Sequence, residues 1–506
     1  MNRHHKHRRL AALAACVGTT VTLALAGGAG SAMAAVTCQS PGYGSGSSLQ
    51  SAAMNTVWLT AGGWGAPGHS NCSVLPSVTY TKTASGPGLD EFGNNTGVLD
   101  ETQDPTALAG PGTADDVHGK ILDWYVGTDD PPSQGQLSEA ETASGDAHNN
   151  LEEITLPVAQ SPVAVLLSLP AGCLIPSGSA LDIPNNTVGQ LWEGTNPAVA
   201  PNDPGGIQAQ GGYAIGTWGA FLTQLGYTPT ATNPPTEPGT FHDEGGATGC
   251  GQAITPQVRQ TASGTSYAFK NYLNQINRFE WAPYASDYPL WPSSAVVEED
   301  PLTPPNVGTQ KNDTGSHIAG NTAANPGSVG YANPADAGAN GGFTNAATTS
   351  TFHTGAGGSS APHQILWAEV QNNGTNPVGA TYADPLLAAS AIANCETTKL
   401  IPSDKGYPYS YTDSWFGVAA TDPNIAADAG ATDYPVCALT YDLVWKHYGV
   451  VNLYKGNAVE PNIANTVKDL MNYIQGAGQT DIQSHDYTSI PSGFAAHDLI
   501  AISNIT

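Results

Sequence analysis

Residues 259–276 read RQTASGTSYAFKNYLNQI, a polar start followed by a strong helix pattern. Phe269, Tyr272, Leu273 and Ile276 recur at helical spacing, which predicts an amphipathic helix after Thr265 with one buried face. Short apolar runs typical of β-strands alternate with helical patterns over much of the chain. This alternation favours an α/β architecture over an all-β sandwich.

Other elements are predicted on both sides of this helix. Residues 162–169 (PVAVLLSL) and 436–445 (VCALTYDLVW) read as buried strands, as does the stretch around 121–126. A second helix is predicted over about 465–475. Its apolar face comprises Val467, Leu470, Met471 and Ile474.

Three polar segments interrupt this pattern, at roughly 87–118, 228–251 and 300–365. Each is rich in Gly, Pro, Asn, Thr and Ala. Such composition predicts long surface excursions that add little to a core.

The charge balance excludes one class of function. The 506 residues include 15 Lys and Arg against 42 Asp and Glu, a formal net charge of −27. A simple basic nucleic-acid binder is therefore not expected, because such proteins neutralise phosphates with clustered cations.

The N-terminus predicts a secretory signal over residues 1–34. Four basic residues up to Arg9 precede an apolar stretch from Leu10 to about Gly27, and the small-residue site Ala32-Met33-Ala34 follows. Cleavage after Ala34 removes four positive charges and no negative ones, which moves the formal net charge from −27 to −31. A twin-arginine signal and a lipid anchor on Cys38 are weaker alternatives.

Cysteine usage agrees with export. Six cysteines remain after the signal, an even number suited to an oxidising compartment, and none has C-x-x-C spacing. Three disulfides are therefore expected rather than a metal site, with the sequence neighbours Cys38 and Cys72 as the first predicted pair. No later run of about 18 apolar residues occurs, so no membrane span is expected.

Three glycine- and hydroxyl-rich stretches could bind an anion. They are residues 44–48 (GSGSS), 84–86 (ASG) and 262–265 (ASGT). Backbone N–H groups at a helix start attract anions, and glycine lets the anion approach closely, although each stretch alone also fits a simple cap or turn. Arg259, four residues before Ser263, strengthens the third stretch, because a guanidinium can bind a tetrahedral oxyanion bidentately.

A carboxylate is predicted near these donors by residues 126–132 (VGTDDPP), which also fit a strand ending in an acidic turn. A carboxylate accepts a hydrogen bond from a protonated ligand oxygen. Monohydrogen phosphate carries such a proton at neutral pH and sulfate does not. A carboxylate here would therefore select phosphate by repelling fully ionised anions.

The order of these motifs resembles that of the PstS-type phosphate-binding proteins of the phosphate ABC importer, in the type II periplasmic-binding-protein superfamily. The collinear correspondence spans nearly the whole mature chain apart from the polar segments. The matching stretches are 44–49 (GSGSSL), 80–88 (YTKTASGPG), 126–132, 191–194 (LWEG), 259–265, 325–331 (NPGSVGY) and 486–491 (DYTSIP).

The resemblance implies a phosphate site, with no metal and no cofactor. Its predicted members are Ser48, the Leu49 backbone, Ser85, Asp130, Arg259, Ser263, Gly264 and Thr265. Asp130 rather than Asp129 matches the family pattern, counting back from Pro132. Where the family has an Asp two residues after the Arg, this chain has Thr261, which removes a carboxylate that would orient and neutralise Arg259.

The resemblance also implies two α/β lobes that close on the ligand by a hinge. Residues 35–156 with 430–506 would form the first lobe, and 157–429 the second, with a loop-rich insertion at about 300–365. The expected function is capture of inorganic phosphate outside the cytoplasm without catalysis, by a monomer that serves the membrane subunits of an ABC importer.

Two other classes of function stay open at this stage. A secreted or surface protein could use the same fold to bind another oxyanion or a cell-surface polymer. A hydrolase is a weaker alternative, because the sequence has no G-x-S-x-G elbow, no H-E-x-x-H and no P-loop.

Overall fold

The computed structural model describes a large part of the chain. The described residues are 35–86, 88, 123–129, 153–193, 215–260, 262–277, 281, 284, 291–292, 312, 314–350, 362–372, 380–387, 392–395, 433–448, 462–491 and 494–506.

Strands and helices alternate within these residues. The strands are β1 (Gly42–Gly46), β2 (Val78–Lys82), β3 (Tyr125–Thr128), β4 (Glu153–Pro162), β5 (Ala164–Ser168), β6 (Cys173–Leu174), β7 (Asp182–Ile183), β8 (Thr228–Thr230), β9 (Thr240–Asp243), β10 (Thr255–Pro256), β11 (Ser328–Ala332), β12 (Thr348–Thr349), β13 (Gln364–Trp367), β14 (Glu369–Gln371), β15 (Tyr382–Ala383) and β16 (Cys437–Trp445). The α-helices are α1 (Asn185–Gln190), α2 (Trp218–Gln224), α3 (Gly264–Ile276), α4 (Gly315–Ala324), α5 (Pro334–Gly341), α6 (Ile463–Gln475), α7 (Gly478–Asp481) and α8 (Ala495–Ser503). A π-helix spans Ala53–Trp58, and short 3-10 turns span Gly246–Thr248 and Ile482–Ser484.

The first five-stranded sheet has the order β2-β1-β3-β16-β4. β1 pairs in parallel with both β2 and β3, whereas β16 runs antiparallel to β3 and β4. The carboxyl ends of β1, β2 and β3 therefore meet at one edge of the sheet. Because β1 has a parallel neighbour on each side, this edge is the kind of switch point at which α/β sheets bind ligands.

The second five-stranded sheet has the order β10-β11-β5-β13-β12. β10 pairs in parallel with β11, and β5 pairs antiparallel with β11 and β13. All five residues of β5 are buried, as expected for a central strand covered on both faces. The chain leaves β10 for Arg259 and α3, so this sheet carries the second half of the predicted anion site.

The chain passes from the first sheet to the second between β4 and β5, at Val163. The sequence placed this crossing near Leu156, and it placed the return before Tyr434, which precedes β16. The exact division into lobes stays a prediction.

Most predicted elements are confirmed. The buried strand at 162–169 is β5, that at 436–445 is β16, and the helices after Thr265 and at 465–475 are α3 and α6. The strand expected around 121–126 lies later, at Tyr125–Thr128. The predicted faces pack inward: Phe269, Tyr272, Leu273, Val467, Leu470, Met471 and Ile474 are buried, and Ile276, the last residue of α3, is partly buried.

One predicted surface excursion is wrong over most of its described length. Within 300–365, the helix α4 and the strand β11 are buried almost throughout, and β11 is an interior strand of the second sheet. Small residues such as Gly320, Ala319 and Ala323 give this segment its loop-like composition, but they also let α4 pack closely on β11 and α5. Composition alone therefore does not distinguish an exposed loop from a tightly packed helix.

For the other two polar segments, the structure tests the predicted exposure of one and describes almost none of the other. Residues 228–251 are mostly exposed, as predicted, but β8 and β9 form a small three-stranded sheet there with β6. Residues 87–118 lie outside the described residues apart from Gly88.

Three disulfides join the six described cysteines. They are Cys38–Cys72, as predicted, Cys173–Cys250 and Cys395–Cys437. Among the described helices, none has the length and apolar character needed to cross a bilayer.

Candidate functional site

The candidate site begins where the three parallel strands of the first sheet end. Ser47 and Ser48 follow β1, Ser85 follows β2, and Asp129 follows β3. The ends of β1 and β3 approach closely, because the Ser47 N–H donates to the Gly127 carbonyl oxygen at 2.7 Å. The strand order alone therefore gathers hydroxyl groups and one carboxylate at a single edge.

Asp129 makes three hydrogen bonds to other residues of this cluster. Its Oδ1 accepts a hydrogen bond from the Ser47 hydroxyl, its Oδ2 accepts one from Thr265 Oγ1 at 3.1 Å, and its backbone N–H donates to Ser85 Oγ at 3.2 Å. The residue is only 4% exposed. Burial raises the pKa of the Asp129 carboxyl, although the hydroxyl hydrogen bonds and the nearby Arg259 charge act in the opposite direction.

Arg259 approaches this edge from the second sheet. Its side chain is buried, and Nη1 donates to Ser48 Oγ at 3.1 Å. Its backbone N–H donates to the hydroxyl of Tyr331 at 3.2 Å, and that hydroxyl also bonds to Ser266 Oγ at 2.6 Å. The Tyr331 ring stacks on Phe269 with centroids 4.9 Å apart, so packing on α3 fixes the backbone at Arg259.

Two helices begin beside these side chains. Ser263 caps α3, accepting from the Ser266 N–H at 3.4 Å, and Thr314 caps α4, accepting from the His317 N–H at 3.2 Å. The Gly315 N–H, in the first turn of α4, donates to Ser48 Oγ at 3.4 Å. Both helices thus bring N–H groups and the positive ends of their dipoles to one place, which favours an anion.

The backbone is strained beside Ser85. Ala84 has φ of 124°, a backbone conformation that is energetically unfavourable for any residue other than glycine. The Ala84 N–H donates a hydrogen bond to the Gly46 carbonyl oxygen at 3.0 Å. A Cβ added at Gly86 would lie 2.9 Å from the Cβ of Ala262. Close packing of the 84–86 turn on the start of α3 accounts for the Gly in the predicted 84–86 motif.

The structure brings most of the predicted residues together. Ser48 and Arg259 bond directly, Ser85 and Thr265 bond through Asp129, and Ser263 and Gly264 begin α3 beside Thr265. Leu49 lies next to Ser48, and its carbonyl oxygen accepts hydrogen bonds from Asn333 Nδ2 at 3.0 Å and from the Tyr487 hydroxyl. Asp130 and Thr261 lie outside the described residues.

Sequence reasoning missed two members of this cluster. Ser47 lies in the 44–48 stretch beside the predicted Ser48, and Asp129 lies beside the predicted Asp130, whose own place in the site stays a prediction. The signal for Asp129 was its position directly after β3, at the sheet edge where the other loops end. Counting back from Pro132 favours Asp130 instead, a prediction that the described residues do not test.

Arg259 and Lys82 supply positive charge near the site. Lys82 ends β2, and its Nζ donates to Ser316 Oγ, in the first turn of α4, at 2.5 Å. No cluster of His, Cys, Asp and Glu among the described residues could hold a metal ion.

Three solved structures of phosphate-binding proteins align with most of this chain. The phosphate-binding protein of Stenotrophomonas maltophilia aligns with 91% of this chain and 93% of its own, at 14% identity and a TM-score of 0.50. A human phosphate-binding apolipoprotein aligns over 90% and 93% of the two chains, at 15% identity and a TM-score of 0.48. A high-affinity periplasmic phosphate-binding protein, PfluDING, aligns over 90% and 92%, at 15% identity and a TM-score of 0.49.

The first of these likenesses establishes the fold class. The chain has the two-lobed α/β fold of that phosphate-binding protein, as the sequence predicted. No family model matches the sequence, and no curated protein does so either.

Proposed function

We propose that this chain is an extracytoplasmic solute-binding protein that captures inorganic phosphate. The observation that carries the proposal is the meeting of a buried guanidinium, two helix starts and a carboxylate around Ser48. Arg259 Nη1 and the Gly315 N–H both donate to Ser48 Oγ, at 3.1 and 3.4 Å. A tetrahedral oxyanion offers several acceptor oxygens to the same donors.

Asp129 supplies the selectivity in this proposal. Both of its carboxylate oxygens accept from hydroxyl groups, so its pairing can be exchanged for a hydrogen bond from a protonated ligand oxygen. Monohydrogen phosphate provides that proton. Sulfate has no proton to donate, so its oxygens would face the buried carboxylate as acceptors only.

Burial of the site fits capture by closure. Ser48, Ser85, Asp129, Arg259 and Thr265 are each less than 5% exposed. Hydrogen bonds such as Ser48 to Arg259 and Asp129 to Thr265 join loops of the first sheet to elements that follow the second. A ligand reaches such a site only when these groups separate, which supports hinge opening and closure.

Location and partner follow from the same proposal. The predicted leader over 1–34 and the three disulfides favour an extracytoplasmic protein. We propose that a monomer carries phosphate to the membrane subunits of an ABC importer, which would recognise the closed form, and that the site binds without turning its ligand over.

The test is titration calorimetry of ligand-stripped mature protein with phosphate, with sulfate as the competitor. We expect phosphate to bind and sulfate to be rejected. Arg259→Ala should weaken phosphate binding at least about tenfold, since hydrogen bonds to charged groups contribute about 1.5–3 kcal/mol.

Lys468→Ala is the matched control, because it removes a positive charge whose Nζ bonds instead to the carbonyl oxygens of Ser503 and Ile505. Its phosphate affinity should equal that of the wild type. Folded wild-type protein that binds no phosphate would overturn the proposal and revive the alternative, another oxyanion or a surface polymer on the same fold.

A further inference from the structure

Asp336 is a second buried carboxylate beside the candidate site. It lies in the first turn of α5 and is 8% exposed. Asn333 caps this helix, accepting from the Asp336 N–H at 2.8 Å, while Asn333 Nδ2 donates to the Leu49 carbonyl oxygen at 3.0 Å. The helix that carries Asp336 is thereby tied to the loop that carries Ser48.

One oxygen of this carboxylate points at the start of α4. Asp336 Oδ2 is fully buried and has no hydrogen-bond partner in the described part of the chain, and a Cβ added at Gly315 would lie 2.6 Å from it. Gly315 is the residue whose N–H reaches Ser48 Oγ. A buried carboxylate oxygen with no donor is costly, so its position calls for a functional explanation.

Charged groups from four elements act on this carboxylate. Lys82 at the end of β2, Arg259 after β10 and His317 in α4 stabilise its negative charge, whereas Asp129 after β3 opposes it. Burial raises the pKa of the nearby Tyr487 hydroxyl most, and the Asp336 charge raises it further. The groups that define the oxyanion site are therefore the same groups that act on Asp336.

We propose that Asp336 tunes the affinity of the oxyanion site with pH: its ionised form weakens the binding of an oxyanion such as monohydrogen phosphate, and its protonated form strengthens it. This inference rests on the proposed function. It also assigns a carboxylate that offsets the positive charge of Arg259 in a chain where Thr261 cannot do so.

The pKa of Asp336 sets the pH range over which its charge affects anion binding. Burial raises the pKa of its carboxyl to about 6, against the opposing influence of Lys82, Arg259 and His317. An anion bound nearby raises this pKa further, because it disfavours a second negative charge. Ligand binding above pH 6 is therefore coupled to proton uptake.

The experiment compares the phosphate dissociation constants of the wild type and Asp336→Asn at pH 5.5 and pH 8. At each pH the two proteins meet the same mixture of phosphate ions, so the ratio of their dissociation constants does not depend on the titration of phosphate itself. We expect the variant to bind about tenfold more tightly at pH 8, where it lacks a negative charge near the anion, and to resemble the wild type at pH 5.5.

Glu237→Gln is the matched control. Glu237 is an exposed carboxylate in the loop between β8 and β9, so this variant removes one negative charge from the surface. This variant should bind phosphate like the wild type at both pH values. If it reproduces the gain at pH 8, the effect belongs to overall charge and the inference is overturned.

Other outcomes separate this inference from the proposed function. An equal ratio at both pH values, or weaker binding by Asp336→Asn at both, would show that its charge does not tune the site. Asp336→Ser provides the same comparison if the amide variant does not fold. Absence of phosphate binding by the wild type at either pH would overturn the proposed function and this inference with it.

Discussion

Thr265 Oγ1 donates a hydrogen bond to Asp129 Oδ2 at 3.1 Å, which joins the first turn of α3 to the end of β3. The two residues are 136 positions apart in the chain. Their contact exists because β3 ends beside β1 at the switch point, while α3 starts from the second sheet. The carboxylate is thus placed among hydroxyl donors by topology rather than by local sequence.

The first prediction concerns which carboxylate reads the ligand proton. Asp129→Asn should weaken phosphate binding at least about tenfold, because the amide cannot accept as a charged group, and should let sulfate compete. The measurement is calorimetry with each anion. Asp130→Asn is the neighbouring control and should have the smaller effect; the reverse order would restore Asp130 as the site residue.

Elements of the fold could be predicted from the sequence wherever a residue pattern is typical of only one kind of secondary structure. The apolar run of β5 and the helical spacing of Phe269, Tyr272 and Leu273 both gave the correct element. The segment containing α4 and β11 was misread, because Gly and Ala serve both exposed loops and tightly packed helices.

The candidate site could likewise be predicted from the sequence only in part. Arg259, Ser263 and Thr265 could be found together because they share one local motif. Asp129 and Asp336 could not, since their relation to Arg259 arises from strand order and from the packing of α5 against α4. Local spacing carries no information about such long-range contacts.

The second prediction tests whether Tyr331 positions Arg259. Tyr331→Phe removes the hydroxyl that accepts from the Arg259 N–H and bonds to Ser266. We expect a loss of about 1 kcal/mol in the free energy of unfolding and a several-fold weaker phosphate affinity. Both are measured on the same sample, by urea unfolding and by calorimetry.

Tyr272→Phe is its control, because Tyr272 is an equally buried tyrosine whose hydroxyl donates to Asn185 Oδ1 at 2.6 Å. It should lose similar stability while keeping the phosphate affinity of the wild type. Equal losses of affinity in the two variants would mean that Tyr331 acts only through general stability.

The third prediction concerns Gly46, which ends β1. Its φ is +117°, and a Cβ there would lie 2.1 Å from the Gly127 carbonyl oxygen on the neighbouring strand β3. Gly46→Ala should therefore lower the free energy of unfolding by about 1–3 kcal/mol and weaken phosphate binding. Gly216→Ala, where no described atom lies within 4 Å of the added Cβ, should stay within about 0.5 kcal/mol of the wild type. Similar losses in both would contradict the close approach of β1 and β3.

The last prediction uses a buried acid beneath the site. Asp442, in β16, is fully buried, and its Oδ1 accepts from Gln50 Nε2 at 2.6 Å, while the Gln50 N–H donates to Ser47 Oγ at 3.2 Å. Burial raises the pKa of the Asp442 carboxyl to about 8, although the Gln50 hydrogen bond lowers it. The group is therefore protonated in the native state at neutral pH and ionised in the unfolded chain.

Between about pH 4 and pH 8 the native state holds a proton that the unfolded state has lost, so this group makes the protein less stable as the pH rises. Asp442→Asn does not titrate and keeps an oxygen that accepts from Gln50. Relative to the wild type, the variant should gain at least about 1 kcal/mol in the free energy of unfolding between pH 5.5 and pH 9, measured by urea unfolding. The exposed Glu237→Gln should instead follow the wild-type curve. A difference between Asp442→Asn and the wild type that does not change with pH would mean that Asp442 has the same charge at both ends of the range, and that the Gln50 network beneath Ser47 is insensitive to pH.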